Sequence, residues 1–229
     1  MLASVRTPPP RTTPLRVLLA DDHEIVRQAL RALLERHGFD IVAEAADGRA
    51  AIAAAGQLRP DVAVLDVAMP ILNGVDAAHE ISRIAPATRV ILLSALDDPH
   101  FVPEALRAGV RGFVLKAQGI DELVDAIQGV SQGRLYVSAG VSQAVVDAVV
   151  GRGGGKGMAR GDGTPRLSHR ERQVVQLVAE GKSTKQIAEL LEISAKTAEF
   201  HRGRVMEKLN IHDTAGLVRY AIREGLIVP

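Results

Sequence analysis

The 229-residue chain contains no cysteine, which removes disulfide frameworks and thiolate zinc sites from consideration and is compatible with a reducing compartment. It has no apolar run of membrane-spanning length, and residues Met1 to Pro14 lack the apolar core of a signal peptide. The expectation is a soluble, cytoplasmic protein with no membrane partner. Residues 1–14, with the run Thr7-Pro8-Pro9-Pro10-Arg11-Thr12-Thr13-Pro14, read as a disordered leader. A strong net charge is also missing, because the formal balance is +1, but that value conceals an asymmetry. Residues 1–150 hold 14 Lys and Arg against 18 Asp and Glu, a balance of −4, whereas residues 151–229 hold 14 against 9, a balance of +5. An acidic front half and a basic back half suggest two tasks, the second compatible with a polyanion.

The chain is organised around Val62-Ala63-Val64-Leu65-Asp66, a short apolar run between Pro60 and Met69-Pro70. Such a run reads as a strand buried on both faces in a parallel sheet, with only its end reaching water, and Asp66 stands at that end. Two further strand-like runs end in complementary groups: Leu15 to Ala20 in Asp21-Asp22, and Gly112 to Leu115 in Lys116. Ligands of an open parallel sheet bind at the carboxyl ends of its strands, so these four groups can share one pocket. Three acids and a lysine form a magnesium and phosphate site. The plainer alternative is that Asp21 and Asp22 cap the next helix and Lys116 is a solvated surface lysine.

Strands are expected at Leu15–Ala20, Asp40–Ala45, Val62–Asp66, Arg89–Ser94 and Gly112–Lys116, alternating with amphipathic helices at Glu24–His37, Gly48–Leu58, Val75–Ile84, Pro99–Ala108 and Gly119–Gln132. That alternation predicts an α/β, flavodoxin-like, doubly wound parallel five-stranded sheet of order 2-1-3-4-5. Gly38 and Gly109 stand where helix C-caps are expected. A helical stretch at 138–150 and the glycine-rich run Gly151 to Pro165 follow, and the latter reads as a flexible linker. The remainder reads as an all-α four-helix unit. Ser168 and Ser183 open its first two helices with capping boxes, Ser194 and Asp213 cap the other two, and Gly181-Lys182 forces the sharp turn of a helix-turn-helix. The domain limits expected are 15–133, 134–165 for the helical segment and linker, and 166–229.

These residues match a known family. Asp21-Asp22, Asp66 followed by Met69-Pro70, Ser94 and Lys116 resemble the receiver domain of two-component response regulators. Leu167-Ser168-His169-Arg170-Glu171, Ile187-Ala188, Lys196-Thr197, Phe200-His201-Arg202, Lys208-Leu209 and Ala215 to Tyr220 resemble the LuxR-type helix-turn-helix, and together the halves resemble a NarL/FixJ-type response regulator. The resemblance implies a regulator of transcription and not an enzyme, in which a sensor histidine kinase donates phosphate to Asp66. It implies that Asp22, Asp66 and the backbone carbonyl of Ala68 bind Mg2+ directly, with Asp21 acting through water. Lys116 and Ser94 would engage the phosphoryl oxygens and Phe113 would stand at the switch position, where many receivers have tyrosine. A homodimer is expected on phosphorylation, through the helices Glu24–His37 and Gly119–Gln132.

The recognition helix is expected at Ala195–Leu209, with Ala198, Val205, Met206 and Leu209 inward. Glu199 and Phe200 are the candidates for base contact in double-stranded DNA. Lys182, Lys185, Lys196 and Thr197, with Arg202, Arg204 and Lys208, are the candidates for phosphate contact. His201 is expected to bond to the backbone of the preceding helix. Two modes of communication are compatible with a glycine-rich linker: the receiver covers the recognition helix until phosphate releases it, or phosphate pairs the receivers. The combination of both is the expectation. Other readings are a receiver that works without phosphate, an Asp-nucleophile phosphatase and a sigma-factor-like promoter reader. The second needs another Asp two residues after the nucleophile, where this chain has Ala68, and the third needs a helical front half.

Overall fold

The computed structural model describes residues 13–95, 102–139 and 167–227. The leader up to residue 12, the N-terminal part of the expected helix Pro99–Ala108, the helical stretch at 140–150 and the glycine-rich linker lie outside them.

The front half alternates strand and helix: β1 (Arg16–Ala20), α1 (Glu24–Arg36), β2 (Asp40–Ala45), α2 (Gly48–Leu58), β3 (Val62–Asp66), α3 (Gly74–Ile84), β4 (Arg89–Ser94), α4 (Val102–Arg107), β5 (Gly112–Leu115) and α5 (Ile120–Ser131). Successive side chains of a strand point to opposite faces, and here both faces are apolar. Leu18, Ala20, Ala63 and Leu65 pack on one side with residues of α2, α3 and α4. Val17, Leu19, Val62 and Val64 pack on the other with α1 and α5. The sheet therefore has to be covered twice, which is why all five residues of β3 are buried.

The expected order 2-1-3-4-5 is observed, all parallel, with one addition: β6 (Tyr136–Val137) pairs in parallel with the outer edge of β5. Gly133, at φ 83, turns the chain out of α5 and lets it return along that edge. Lys116 is not in β5 as expected; it begins a short 3-10 turn, Lys116–Gln118. The register pairs Ala20 with Leu65, Asp66 with Leu93 and Ser94 with Leu115, so β1, β3, β4 and β5 end at one edge.

Among the described residues the back half has four helices, α6 (His169–Ala179), α7 (Thr184–Leu190), α8 (Ala195–Leu209) and α9 (Thr214–Arg223). Both expected capping boxes are formed, and Ser194 and Asp213 cap α8 and α9. Leu177, Val205, Leu217 and Ala221 are at the centre of a separate apolar core.

Two glycines differ sharply in what a side chain would meet. A Cβ on Gly74 would run into the carbonyl oxygen of Asp66, whereas one on Gly203 would meet nothing within 4 Å. Gly74→Ala is expected to destabilise the chain by about 1–3 kcal/mol by overpacking. Gly203→Ala, inside α8, is expected to stabilise by up to about 1 kcal/mol. Urea unfolding of the two variants checks this, and equal midpoints would contradict it.

Candidate functional site: an acidic cluster at the sheet edge and an exposed helix face

Asp21 follows β1, Asp66 closes β3 and Lys116 follows β5, so the common register brings the three together. The Lys116 ammonium lies 2.7 Å from Asp21 Oδ2 and 3.0 Å from Asp66 Oδ2. Asp21 and Asp66 are buried, whereas Asp22 is exposed. Carboxylate oxygens of Asp21, Asp22 and Asp66 and a ring nitrogen of His23 lie within 4.8 Å of one another. Hard oxygen donors in this number suit Mg2+, which keeps several waters of its own. His23 was not singled out in the sequence, although it directly follows the two acids; its Nδ1 lies 2.8 Å from Asp22 Oδ1. The backbone N–H of His23 donates to Asp21 Oδ1 at 2.9 Å, which fixes that carboxylate.

Ser94 and Phe113 are both buried on neighbouring strands, and Phe113 packs within the core on the α3 and α4 side. Ala68 follows in the bend after β3, where the backbone N–H of Gly74 donates to the Val67 carbonyl at 2.9 Å. The absent side chain of Gly74 thus lets α3 start against the strand that carries Asp66.

Burial pushes the Asp66 carboxyl up to about 6; Lys116 opposes this, and Asp21 and Asp22 add to it by repulsion. Burial alone would lower Lys116, but its bonds to Asp21 and Asp66 outweigh that and raise it. An acid whose folded pKa is raised favours the folded state while it is protonated. That contribution is complete below the unfolded value of 3.8 and is lost as pH rises through about 6. The loss is at most about 3 kcal/mol at neutral pH. In chelator-containing buffer Asp66→Asn is therefore expected to be more stable than the wild type near pH 8. The gain should shrink towards pH 4, and Mg2+ should stabilise the wild type alone. Thermal unfolding at the two pH values is the check, and a gain independent of pH would refute it.

The helix α8 presents the second feature. Lys196, Glu199, Phe200 and Arg204 are exposed, Phe200 to 62% of its surface. Ala198 and Val205 are buried and Met206 and Leu209 partly so, as the periodicity requires. Lys185 is exposed and Lys182 half-buried on the turn and helix before it. The expected DNA-contact residues Lys208, Arg204, Arg202 and Thr197 also have neighbours within the domain, Arg204 lying 3.6 Å from Glu171, and the expectation for His201 is corrected. Lys208 spans to the buried carboxylate of Glu171 at 2.8 Å, so its charge is engaged within the domain. Arg202 donates to the Thr214 hydroxyl at 3.1 Å, and Thr197 closes the cap of α8 through Ser194. His201 Nδ1 is buried with no hydrogen-bond partner among the described residues, so it makes no bond to the backbone of the preceding helix.

The receiver half contacts the other half chiefly through α6, with one ion pair at 3.1 Å from Arg49 of α2 to Glu192 in the turn before α8, and not through the exposed face of α8. Gln176 donates from Nε2 to the Met69 carbonyl at 2.8 Å and accepts from the backbone N–H of Asn73 at 3.1 Å. The Ile71 N–H donates to the Glu180 carboxylate at 2.9 Å, and its side chain packs against the helical core. Ile71 has φ 67, a rare conformation for a β-branched residue. Arg172 joins Asp76 at 3.2 Å and makes a bidentate pair with Glu104. The expectation that the receiver covers the recognition helix therefore does not hold in this structure. None of these contacts carries a long-range sequence signal.

Comparison with known proteins adds to this. Residues 17–128 match the family described as response regulator receiver domain, and residues 165–221 match bacterial regulatory proteins, luxR family. The transcriptional regulatory protein MctR of Rhizobium johnstonii is 37% identical over 218 residues, covering 93% of this chain and 95% of its own. The oxygen regulatory protein NreC of Staphylococcus carnosus is 32% identical, covering 93% and 99%. Among solved structures, RcsB of Salmonella enterica serovar Typhimurium, bound to a promoter with a phosphomimetic, matches with TM-score 0.62 and 28% identity over 91% of this chain and 98% of that one. A LuxR-family two-component response regulator from Aurantimonas matches with TM-score 0.56 and 34% identity, over 60% and 99%. No helix among the described residues is long and apolar enough to cross a membrane.

Proposed function

We infer the working of this chain from the family to which it belongs, the response regulators that join a receiver domain to a luxR-family DNA-binding domain, regulators of transcription and not enzymes. We propose that Asp66 is the phosphoacceptor, served by a sensor histidine kinase in the cytoplasm, and that phosphorylation changes how the DNA-binding half is held. The observation that carries this is the convergence of Asp21, Asp22, Asp66 and Lys116 at one sheet edge.

Asp22, Asp66 and the Ala68 carbonyl would hold Mg2+, with Asp21 acting through water; the ion would offset the charge of the incoming phosphoryl group. An Asp66 carboxylate oxygen forms the new bond to phosphorus as the donor leaves with the electrons of the old one. Lys116 turns from the carboxylates to a phosphoryl oxygen, and the Ser94 hydroxyl donates to another. Phe113, already in the core, can follow by rotation of its ring.

The signal has a short route. Ala68 lies in the same loop as Met69, Ile71 and Asn73, whose backbone groups are held by Gln176 and Glu180 of α6. A rearrangement of that loop around the metal and phosphate strains those bonds and frees the unit at 166–229 from the unit at 15–133. Freed domains then dimerise on DNA through paired receivers, with α8 in the major groove.

The function is tested by titrating DNA with the unphosphorylated and phosphorylated full chain. Tighter binding after phosphorylation is expected. Lys196→Ala or Arg204→Ala is expected to weaken binding to every sequence and to lower the salt slope by about one each. Glu199→Ala is expected to alter sequence preference instead. Lys208→Ala should act chiefly through lost stability, because its partner Glu171 is buried. Unchanged preference in Glu199→Ala would show that Glu199 does not read bases.

A further inference from the structure

Between α3 of the receiver and α6 of the DNA-binding domain stands a group of side chains that the phosphoryl chemistry does not use. His79, Glu80 and His169 each turn one donor atom to a common point, and no two of these atoms are more than 4.8 Å apart. Glu80 Oε1 lies 3.8 Å from His79 Nδ1 and 3.7 Å from His169 Nε2. Its other oxygen accepts from Arg83 at 2.9 Å, which leaves Oε1 towards the two rings. The rings themselves are stacked at a tilt, with centroids 4.8 Å apart.

The buried Asp76 decides how His169 is presented. His169 Nδ1 lies 2.8 Å from Asp76 Oδ1 and so donates its proton there. Its Nε2 accepts from the Gln173 amide at 2.8 Å, which leaves the lone pair on Nε2. A carboxylate behind a histidine, fixing its tautomer and turning the far nitrogen outward, is the usual support of a metal-bound imidazole.

We propose that His79, Glu80 and His169 bind one zinc ion, or a similar borderline divalent transition metal, and that this ion clamps the DNA-binding domain to the receiver. Two imidazoles and a carboxylate are a zinc donor set, with water completing four-coordination. Bonds of about 2.1 Å place tetrahedral donors about 3.4 Å apart, so the donors close by rotation of the half-exposed His79 and Glu80 side chains and displacement of the Gln173 amide. The site differs in kind from the acidic cluster, where oxygen donors and the Lys116 ammonium favour magnesium with phosphate. It also exists only while the two halves are docked, because two donors come from one half and one from the other. An ion that binds only the docked form stabilises that form by mass action.

The test uses the full-length chain, free of any histidine tag, stripped with chelator and then held in excess Mg2+ to occupy the acidic cluster. Titration with Co2+ is expected to give the visible ligand-field absorption of a four-coordinate ion, saturating at one equivalent and displaced by Zn2+. Zn2+ is expected to raise the melting temperature. His79→Ala, His79→Gln and Glu80→Gln leave the Asp76–Arg172 contact in place and are expected to abolish both signals, whereas His23→Ala is expected to keep them. Retention of the cobalt signal in either His79 variant, its loss in His23→Ala, or no saturable binding by the wild type would overturn the proposal.

Discussion

Asp66→Ala is expected to gain no phosphoryl group from acetyl phosphate in Mg2+, where the wild type gains one per chain. The effect is all or none because each neighbouring group lacks something that Asp66 has. Asp21 is buried and fixed by the His23 N–H and by Lys116. Asp22 is on the solvent side of the cluster and its carboxylate faces His23. Asp66 stands at a strand end, is followed by the loop that joins the site to α6, and has a carboxyl raised to about 6, mainly by burial. At neutral pH such a group is mostly ionised yet poorly solvated, so charge neutralisation by a metal ion is worth more to it than to a surface carboxylate. The added phosphate brings about −1.5 to −2 charge and three acceptor oxygens, enough to draw Lys116 off its present partners. Asp22→Asn is expected to slow uptake through loss of the metal, and Lys116→Ala to leave uptake possible but uncouple it from DNA binding. Intact-mass measurement over a time course decides the matter, and label that persists in Asp66→Ala would place the acceptor elsewhere.

The acidic cluster was legible in the sequence because its parts are local. A buried parallel strand must end where its apolar run ends, so Asp66, Asp21 and Lys116 could be put at strand ends without knowing how the chain folds. Ser168, Ser183, Ser194 and Asp213 were readable as caps for the same reason, each satisfying backbone donors within three residues. The contacts between the halves were not legible. Gln176 and Asn73 are about a hundred residues apart, both are polar, and their burial depends on a docking that no periodicity encodes. Lys208 reads as a phosphate contact of the recognition helix and Arg172 carries no signal, yet both reach carboxylates on other elements. The opposed charges of the halves are compatible with attraction between them, but the receiver meets chiefly α6 and not the recognition helix.

Removing the Arg172 side chain is expected to release the DNA-binding domain without phosphate. Arg172 is 13% exposed and Asp76 is fully buried, and the guanidinium spans from Asp76 on α3 to Glu104 on α4. Burial alone would lower its pKa, but the two carboxylates outweigh that and raise it. Taking away one partner of a buried ion pair typically costs about 3–5 kcal/mol, because the remaining charge is left uncompensated. Asp76 keeps its bonds from His169 and Asn73, so only part of that cost falls here, and the chain can avoid it by undocking, since water then reaches Asp76. Undocking also lets Ile71 leave its left-handed conformation, a strain of about 1–3 kcal/mol that the Glu180 contact now holds. The docked-to-undocked ratio should therefore fall by about tenfold or more. Arg172→Ala is expected to increase the radius of gyration of the unphosphorylated chain and raise its DNA affinity towards that of the phosphorylated wild type, because freed domains can turn to paired half-sites. Glu104→Ala, made on the receiver side, should act in the same direction, and the double variant should add little to either. If scattering and DNA affinity are unchanged in both single variants, docking through α6 does not restrain this regulator.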